Sequence, residues 1–342
     1  MKLNSLSISS KNFLNKRIIF RCDGGDVSEI GTGHIYRCLT IAKFLVSKKI
    51  KKKNILFITK KNQNFYNGFK LIKTEGYNIF SPNRNRKLEN KFEIDTLNNF
   101  KSKLLIIDRL DDLKKKEIIK LKKNHRKIIL IDSVSKYIKY SDLNLNPHIK
   151  NKYTKKNFGL EYLILPEGKI KKNKTKKKKI FLYFGGYDNK NILKKILKIL
   201  NNTNFNLKIC IEKKNRKICK SFKKLSYIFF DKRSFFSNLK NSNFAIISGG
   251  LILYCALKYN VPSISIPQYK HQKINILRIK KRKGTVMLDA NQLEQKLEYI
   301  LSKFNNKNYI NSYKRNIKFN FSNKINNNAL AMIINLYDKK NI

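Results

Sequence analysis

FRCDGGDVSEIGTGHIYRCLTIAKFL, residues Phe20–Leu45, joins three kinds of sequence in an order that decides the fold. Arg17-Ile18-Ile19-Phe20, at its start, is apolar and partly β-branched, the pattern of a short buried strand. A glycine-rich turn follows, Asp23-Gly24-Gly25 and then Gly31-Thr32-Gly33. From His34 onward Ile35, Leu39, Ala42 and Leu45 recur at helical spacing. Strand, glycine turn and helix in that order bring free backbone N–H groups and the positive helix end to one spot, which suits a phosphate. His34 falls on the first helical turn, and Arg37, three positions on, lies on the same face. The plainer reading is that glycines between strand and helix are common in α/β proteins and His34 is only a polar first-turn residue. The GxGHxxR combination weighs against it by gathering donor, base and cation.

The pattern repeats outward from there. Asn54–Ile58 reads as a second strand, followed by a polar helix around Gly68–Glu75 and a strand at Tyr77–Phe80. Leu104-Leu105-Ile106-Ile107-Asp108 and Lys127–Asp132 are apolar runs that each end in a carboxylate, with a basic amphipathic helix, Lys114–Asn124, separating them. Such runs are expected of buried parallel strands, and alternation with helices argues for a doubly wound sheet. Asp108 is either a ligand-facing strand-end residue or an N-cap to the next helix. A second α/β pattern restarts at Ile180–Phe184 with Gly185-Gly186-Tyr187-Asp188, and continues through strands at Asn206–Ile211 and Tyr227–Phe230. Phe244–Ile247 then leads into Ser248-Gly249-Gly250 and an apolar helix, and Val261–Ile266 enters Pro267–Gln272. Helices around Gln292–Phe304 and Asn327–Tyr337 close the chain.

The reading is therefore of two Rossmann-like doubly wound α/β domains facing a central cleft. The first spans 1–150, a basic linker 151–179, the second 180–325, and a last helix 326–342. Pro166, Gly168 and the lysines of 176–179 mark the linker, although Tyr162-Leu163-Ile164-Leu165 has the composition of a strand.

At 342 residues and 41% hydrophobic, the chain can bury two cores. Its net charge of +55 ordinarily points to nucleic acid or an anionic surface. Here the lysines are spread along the chain among Asn and Ile, the imprint of AT-rich coding on solvated positions. No RNP-type aromatic motif, zinc-finger spacing or basic-region heptad accompanies them, so no specific nucleic-acid partner is expected. The charge should attract phosphorylated ligands and make their binding salt-sensitive. Five cysteines in no CxxC pair fit a reducing, cytoplasmic setting. Lys11 and Lys16 interrupt any signal-peptide core, and no apolar run reaches membrane-spanning length.

Three blocks, GTGHIYRCLTIA, IFLYFGGYDNKN and IISGGLILYCALKYNVPSISIPQYKHQKIN, resemble those of one group of sugar-nucleotide enzymes. These are the UDP-2,4-diacetamido-2,4,6-trideoxy-β-L-altropyranose hydrolases of pseudaminic acid biosynthesis (PseG), with relatives named as spore-coat polysaccharide proteins (SpsG). The resemblance covers most of the chain and implies the MurG-like GT-B superfamily, in which a final helix often crosses back onto the first domain. It implies a hydrolase that releases UDP by water attack at the anomeric carbon, with inversion and without metal or cofactor. The family's GxGHxxR histidine is His34 here, acting as base or water-orienting group. An imidazole titrates near enough to neutral pH to accept a proton from water.

The resemblance further implies phosphate or sugar contacts at Gly31, Gly33, Arg37, Gly185, Gly186, Ser248, Gly249 and Gly250, with Gln272 and Asn275 on the sugar side. His271 is a contact or a structural turn histidine, and Asp188 a ligand residue or a helix cap. Asp23 orients the glycine loop. At the position where relatives carry a ribose-binding Glu this chain has Cys255, and a thiol makes no bidentate hydroxyl contact. Leu165-Pro166-Glu167-Gly168 also lacks the basic residue usual after that strand. A glycosyltransferase, with a sugar hydroxyl in place of water, and a nucleotide-sugar-binding protein without turnover remain alternatives. Oligomeric state is not encoded legibly.

Overall fold

Two all-parallel six-stranded sheets make up the fold. The computed structural model describes residues 17–25, 30–82, 90–109, 111–147, 152–154, 156–168, 178–185, 188 and 190–339. The chain divides into two compact units, Met1–Ile164 together with Asn326–Ile342, and Leu165–Ile325.

The first unit runs β1 (Ile18–Cys22), α1 (Gly33–Ser47), β2 (Ile55–Ile58), α2 (Tyr66–Thr74), β3 (Asn78–Phe80), α3 (Asn90–Asn98), β4 (Ser102–Asp108), α4 (Lys115–Lys122), β5 (His125–Ile131) and β6 (Leu143–Leu145). Its strand order is β3-β2-β1-β4-β5-β6. β1 is apolar almost throughout because both its faces are covered. Ile18, Phe20 and Cys22 pack in one core with Ile35, Cys38 and Ala42 of α1, while Ile19 packs in the other with Ile94 and Leu97 of α3. Phe20 stacks on Phe57 of β2 at 4.8 Å. The glycine turn after β1 sits directly against α2. A Cβ on Gly68 would stand 1.9 Å from the Gly24 carbonyl oxygen, so a side chain there forces α2 off the turn.

The second unit runs β7 (Lys178–Tyr183), α5 (Ile192–Asn201), β8 (Leu207–Glu212), α6 (Arg216–Cys219), β9 (Ser226–Phe230), α7 (Phe235–Lys240), β10 (Phe244–Ile247), α8 (Leu251–Lys258), β11 (Ser263–Ser265), α9 (Lys270–Lys281), β12 (Val286–Met287), α10 (Leu293–Asn305) and α11 (Lys307–Asn320). Its order, β12-β11-β10-β7-β8-β9, is the winding of the first sheet read from the other edge. In each sheet the order reverses beside the first strand, between β1 and β4 and between β7 and β10. Open α/β sheets bind ligands outside the strand ends at such a point.

A last helix, α12 (Asn328–Asp338), returns to the first unit, where Ala329, Leu330 and Ile333 join the core of Ile18 and Phe20. Part of the stretch that reads as linker is folded: Thr154 is buried, and Ile164 belongs to that same core. Residues 169–177 lie outside the described residues. Leu163–Leu165 pair with no strand; a short 3₁₀ turn, Leu160–Tyr162, precedes them. Seven elements, α3, β6, α6, α7, α9, β12 and α11, are too short or too polar to stand out in sequence. No helix among the described residues is long and apolar enough to cross a membrane.

Candidate active site

The first unit gathers its chemistry where β1, β4 and β5 end. Cys22 closes β1 level with Asp108 closing β4, and Asp108 is level with Ile131, one residue short of Asp132. α1 starts at Gly33 because Gly31, at φ +54°, turns the chain left-handed and its carbonyl accepts the Gly25 N–H at 2.8 Å. His34 thus enters on the first turn of α1 and Arg37 at the start of the second, on the same face. Thr32, at the N-cap, makes no side-chain bond to the first N–H groups of that helix.

His34 Nδ1 lies 2.5 Å from Asp108 Oδ1. Arg37 grips the same carboxylate with two bonds, Nε to Oδ2 at 2.9 Å and Nη2 to Oδ1 at 2.7 Å, while its Nη1 pairs with Asp132. Burial alone pushes the Asp108 carboxyl up; Arg37 and then His34 reverse this and hold it below its ordinary value. An ionised carboxylate only accepts, so His34 Nδ1 carries a proton and donates it to Asp108. Arg37 Nη2, 3.0 Å from Nδ1, is its neighbour because both nitrogens donate into Oδ1. In the neutral ring the unprotonated nitrogen is then Nε2, the one that can take a proton.

Two expectations are corrected here. Arg37 is not a cation offered to an anion: it is 6% exposed, and Asp108 and Asp132 engage its donors. Asp108 is neither a ligand contact nor a helix cap: it is 0% exposed and bonds His34 and Arg37. A buried charge near the end of β1 also escaped the sequence reading. Arg21 donates to Glu93 of α3 at 2.9 Å and to Asp23 at 2.7 Å, and Glu93 accepts from Arg109. Asp23 also accepts the Lys60 N–H at 2.9 Å, so it ties the glycine turn to the end of β2. The signal was present as a lone Arg inside the apolar run Ile18–Cys22.

His125 shows what an ordinary buried histidine looks like. Burial pushes it down to about 4, and among the described residues its ring bonds Ser102 and the Leu97 carbonyl.

In the second unit the ends of β7, β10 and β11 meet. The Ser248 N–H donates to the Tyr183 carbonyl at 3.3 Å, and Gln268 Nε2 to the Phe184 carbonyl at 2.8 Å. Gln272 Oε1 accepts the Gln268 N–H at 3.0 Å. Its Nε2 faces the glycine turn, 3.9 Å from where a Cβ on Gly250 would stand. Gly249 is required by close approach, since a Cβ would meet the Gln272 carbonyl at 2.7 Å. Gly250 is the N-cap of α8 and offers no side chain to its first N–H groups. Gly185, at φ +85°, has open space around it. Gly186 lies outside the described residues.

Asn275 is half-buried on α9, one turn beyond His271, whose exposed ring stacks on Tyr269 at 5.7 Å. Asp188 is a helix cap: its two oxygens accept the Ile192 and Leu193 N–H groups at 3.0 and 2.8 Å. Cys255 is 3% exposed among the buried residues of α8, its thiol pushed up to about 12 by burial. Among the described residues no three His, Cys, Asp or Glu side chains gather as metal ligands do. The arrangement offers proton transfer in one unit and N–H donors for an anion in the other.

No protein-family model matches the chain, and no curated protein matches it. Solved structures do. MurG of Acinetobacter baumannii gives a TM-score of 0.66 at 11% identity, covering 95% of this chain and 100% of its own. The glycosyltransferase VinC, solved with dTDP, gives 0.63 at 10% identity over 95% of this chain and 100% of its own. The spinosyn rhamnosyltransferase SpnG gives 0.62 at 10% identity over 94% and 100%. At such identities the likeness is one of fold: two Rossmann-like units of the GT-B type.

Proposed function

We propose that this protein is a cytoplasmic sugar-nucleotide enzyme that hydrolyses a UDP-linked diacetamido-trideoxyhexose, in pseudaminic acid or surface-polysaccharide synthesis. The observation that carries the reading is the His34–Asp108 pair, which makes Nε2 the free nitrogen of the neutral ring, on the first turn of a helix at the strand-order reversal. Nε2 takes a proton from water as the water oxygen bonds the anomeric carbon from the face opposite the diphosphate. The carbon–oxygen bond to the diphosphate breaks, and UDP leaves with the electron pair. A diphosphate needs little acid help but does need its charge met. In the second unit, taken by itself, the N–H groups after Gly249-Gly250 and the Gln272 amide are suited to such a charge, and Asn275 to a sugar hydroxyl.

MurG, VinC and SpnG support the GT-B part of the reading, and VinC's dTDP supports a nucleoside diphosphate ligand. Those same neighbours favour a second reading, a glycosyltransferase in which His34 deprotonates a sugar hydroxyl. Incubation with UDP- and CMP-activated diacetamido sugars, with and without candidate acceptors, separates the two. Free sugar and UDP formed without acceptor are the expected products; release that requires an acceptor establishes the transferase instead.

A further inference from the structure

The geometry points to Asp132 as a positioning residue for the base, three links removed from it: Asp132 holds Arg37, Arg37 holds Asp108, and Asp108 holds His34. The role rests on the reading of His34 as a base given above. Asp132 stands just beyond β5, where φ is +57°, a left-handed conformation that strains an ordinary side chain and that Asp tolerates better than most. The turn aims its carboxylate at Arg37 Nη1, the terminal nitrogen that Asp108 does not engage.

The loop around it is pinned on both sides. The Asp132 N–H donates to the Leu145 carbonyl at 2.9 Å, and Asn146 Nδ2 to the Ser133 carbonyl at 2.8 Å. Asp112 accepts from the Val134 N–H at 3.0 Å and from the Ser133 hydroxyl. A strained residue whose backbone is fixed by its neighbours is one whose side chain is delivered to a set place.

The consequence concerns the proton on His34. Arg37 and His34 share Asp108 Oδ1, so a guanidinium free to swing would take that oxygen over and release the imidazole to either tautomer. Asp132, holding the opposite end of the guanidinium, prevents the swing. Among the described residues the charged groups linked to His34 are Arg37 from α1, Asp108 from β4 and Asp132 from the β5 loop, with the Cys38 thiol 4.0 Å from Asp108.

Asp132→Asn and Asp132→Gly test this, because both residues accept the left-handed backbone and leave the loop relaxed. The tautomer of His34 is read by nitrogen NMR of histidine-labelled protein, with His34→Ala assigning the signal. Expected is the Nδ1–H tautomer in the wild type and a mixture of tautomers in both variants, whose thermal unfolding is otherwise close to wild type. Turnover should fall about 10- to 100-fold with KM unchanged, the cost of a base misplaced by about an ångström. A wild-type tautomer retained in both variants overturns the positioning role, whatever the substrate. An Nε2–H wild type overturns the base assignment itself.

Discussion

Asparagine in place of Asp108 should lower UDP release about 10³- to 10⁴-fold while leaving UDP binding in place. The two side chains are nearly the same size, so the site at the end of β4 is still filled. What changes is the partner that Nδ1 meets. The carboxylate only accepts, and it holds the imidazole proton on Nδ1 at 2.5 Å. An amide turns one oxygen into a donor, and with Arg37 claiming the remaining acceptor, Nδ1 becomes the acceptor and Nε2 the protonated nitrogen. A base with its proton already in place cannot take another. Steady-state rates of UDP release, with calorimetry of UDP binding alongside, check this; a rate near wild type would show that the pair does not set the tautomer.

Methionine at Arg37 should destabilise the protein by about 3–5 kcal/mol near neutral pH, as loss of one partner from a buried ion pair does. Asp108 is fully buried, and Arg37 leads the attractions that offset that burial. In the wild type its carboxyl is held below the unfolded value, so the pair stabilises the fold above about pH 3.9 and the contribution fades as pH falls through the folded value. Without the guanidinium, burial pushes the carboxyl up instead, and the sign reverses: the variant loses stability as pH rises. The gap between the two proteins is therefore widest at neutral pH and narrows toward pH 4. Urea unfolding at a series of pH values measures it, and a gap independent of pH would mean that Asp108 is not the charge left behind.

Much of this was legible beforehand, for identifiable reasons. The strand–glycine–helix stretch around Gly31–Gly33 announced the first unit because both faces of β1 are buried and its turn tolerates only small residues. The apolar runs ending in Asp108 and Asp132 announced strand ends. Two things were not legible. One was the partner of each charge: Arg37 lies on the face of α1 that sequence spacing assigns to an anion, and only the fold shows two carboxylates there. The other was the meaning of Cys255, which in sequence marks a missing ribose contact and in the structure is a buried core side chain. Periodicity reports which face is inside; it is silent on which buried charges meet.

The chemistry of His34 is open to one direct measurement, the rate of UDP release from a UDP-activated diacetamido sugar by the wild type and by His34→Ala. A loss of about 10²- to 10⁴-fold in the variant, with UDP still bound, is the expected result for a general base. Equal rates in the two proteins would take His34 out of the mechanism and leave its bond to Asp108 as structure alone.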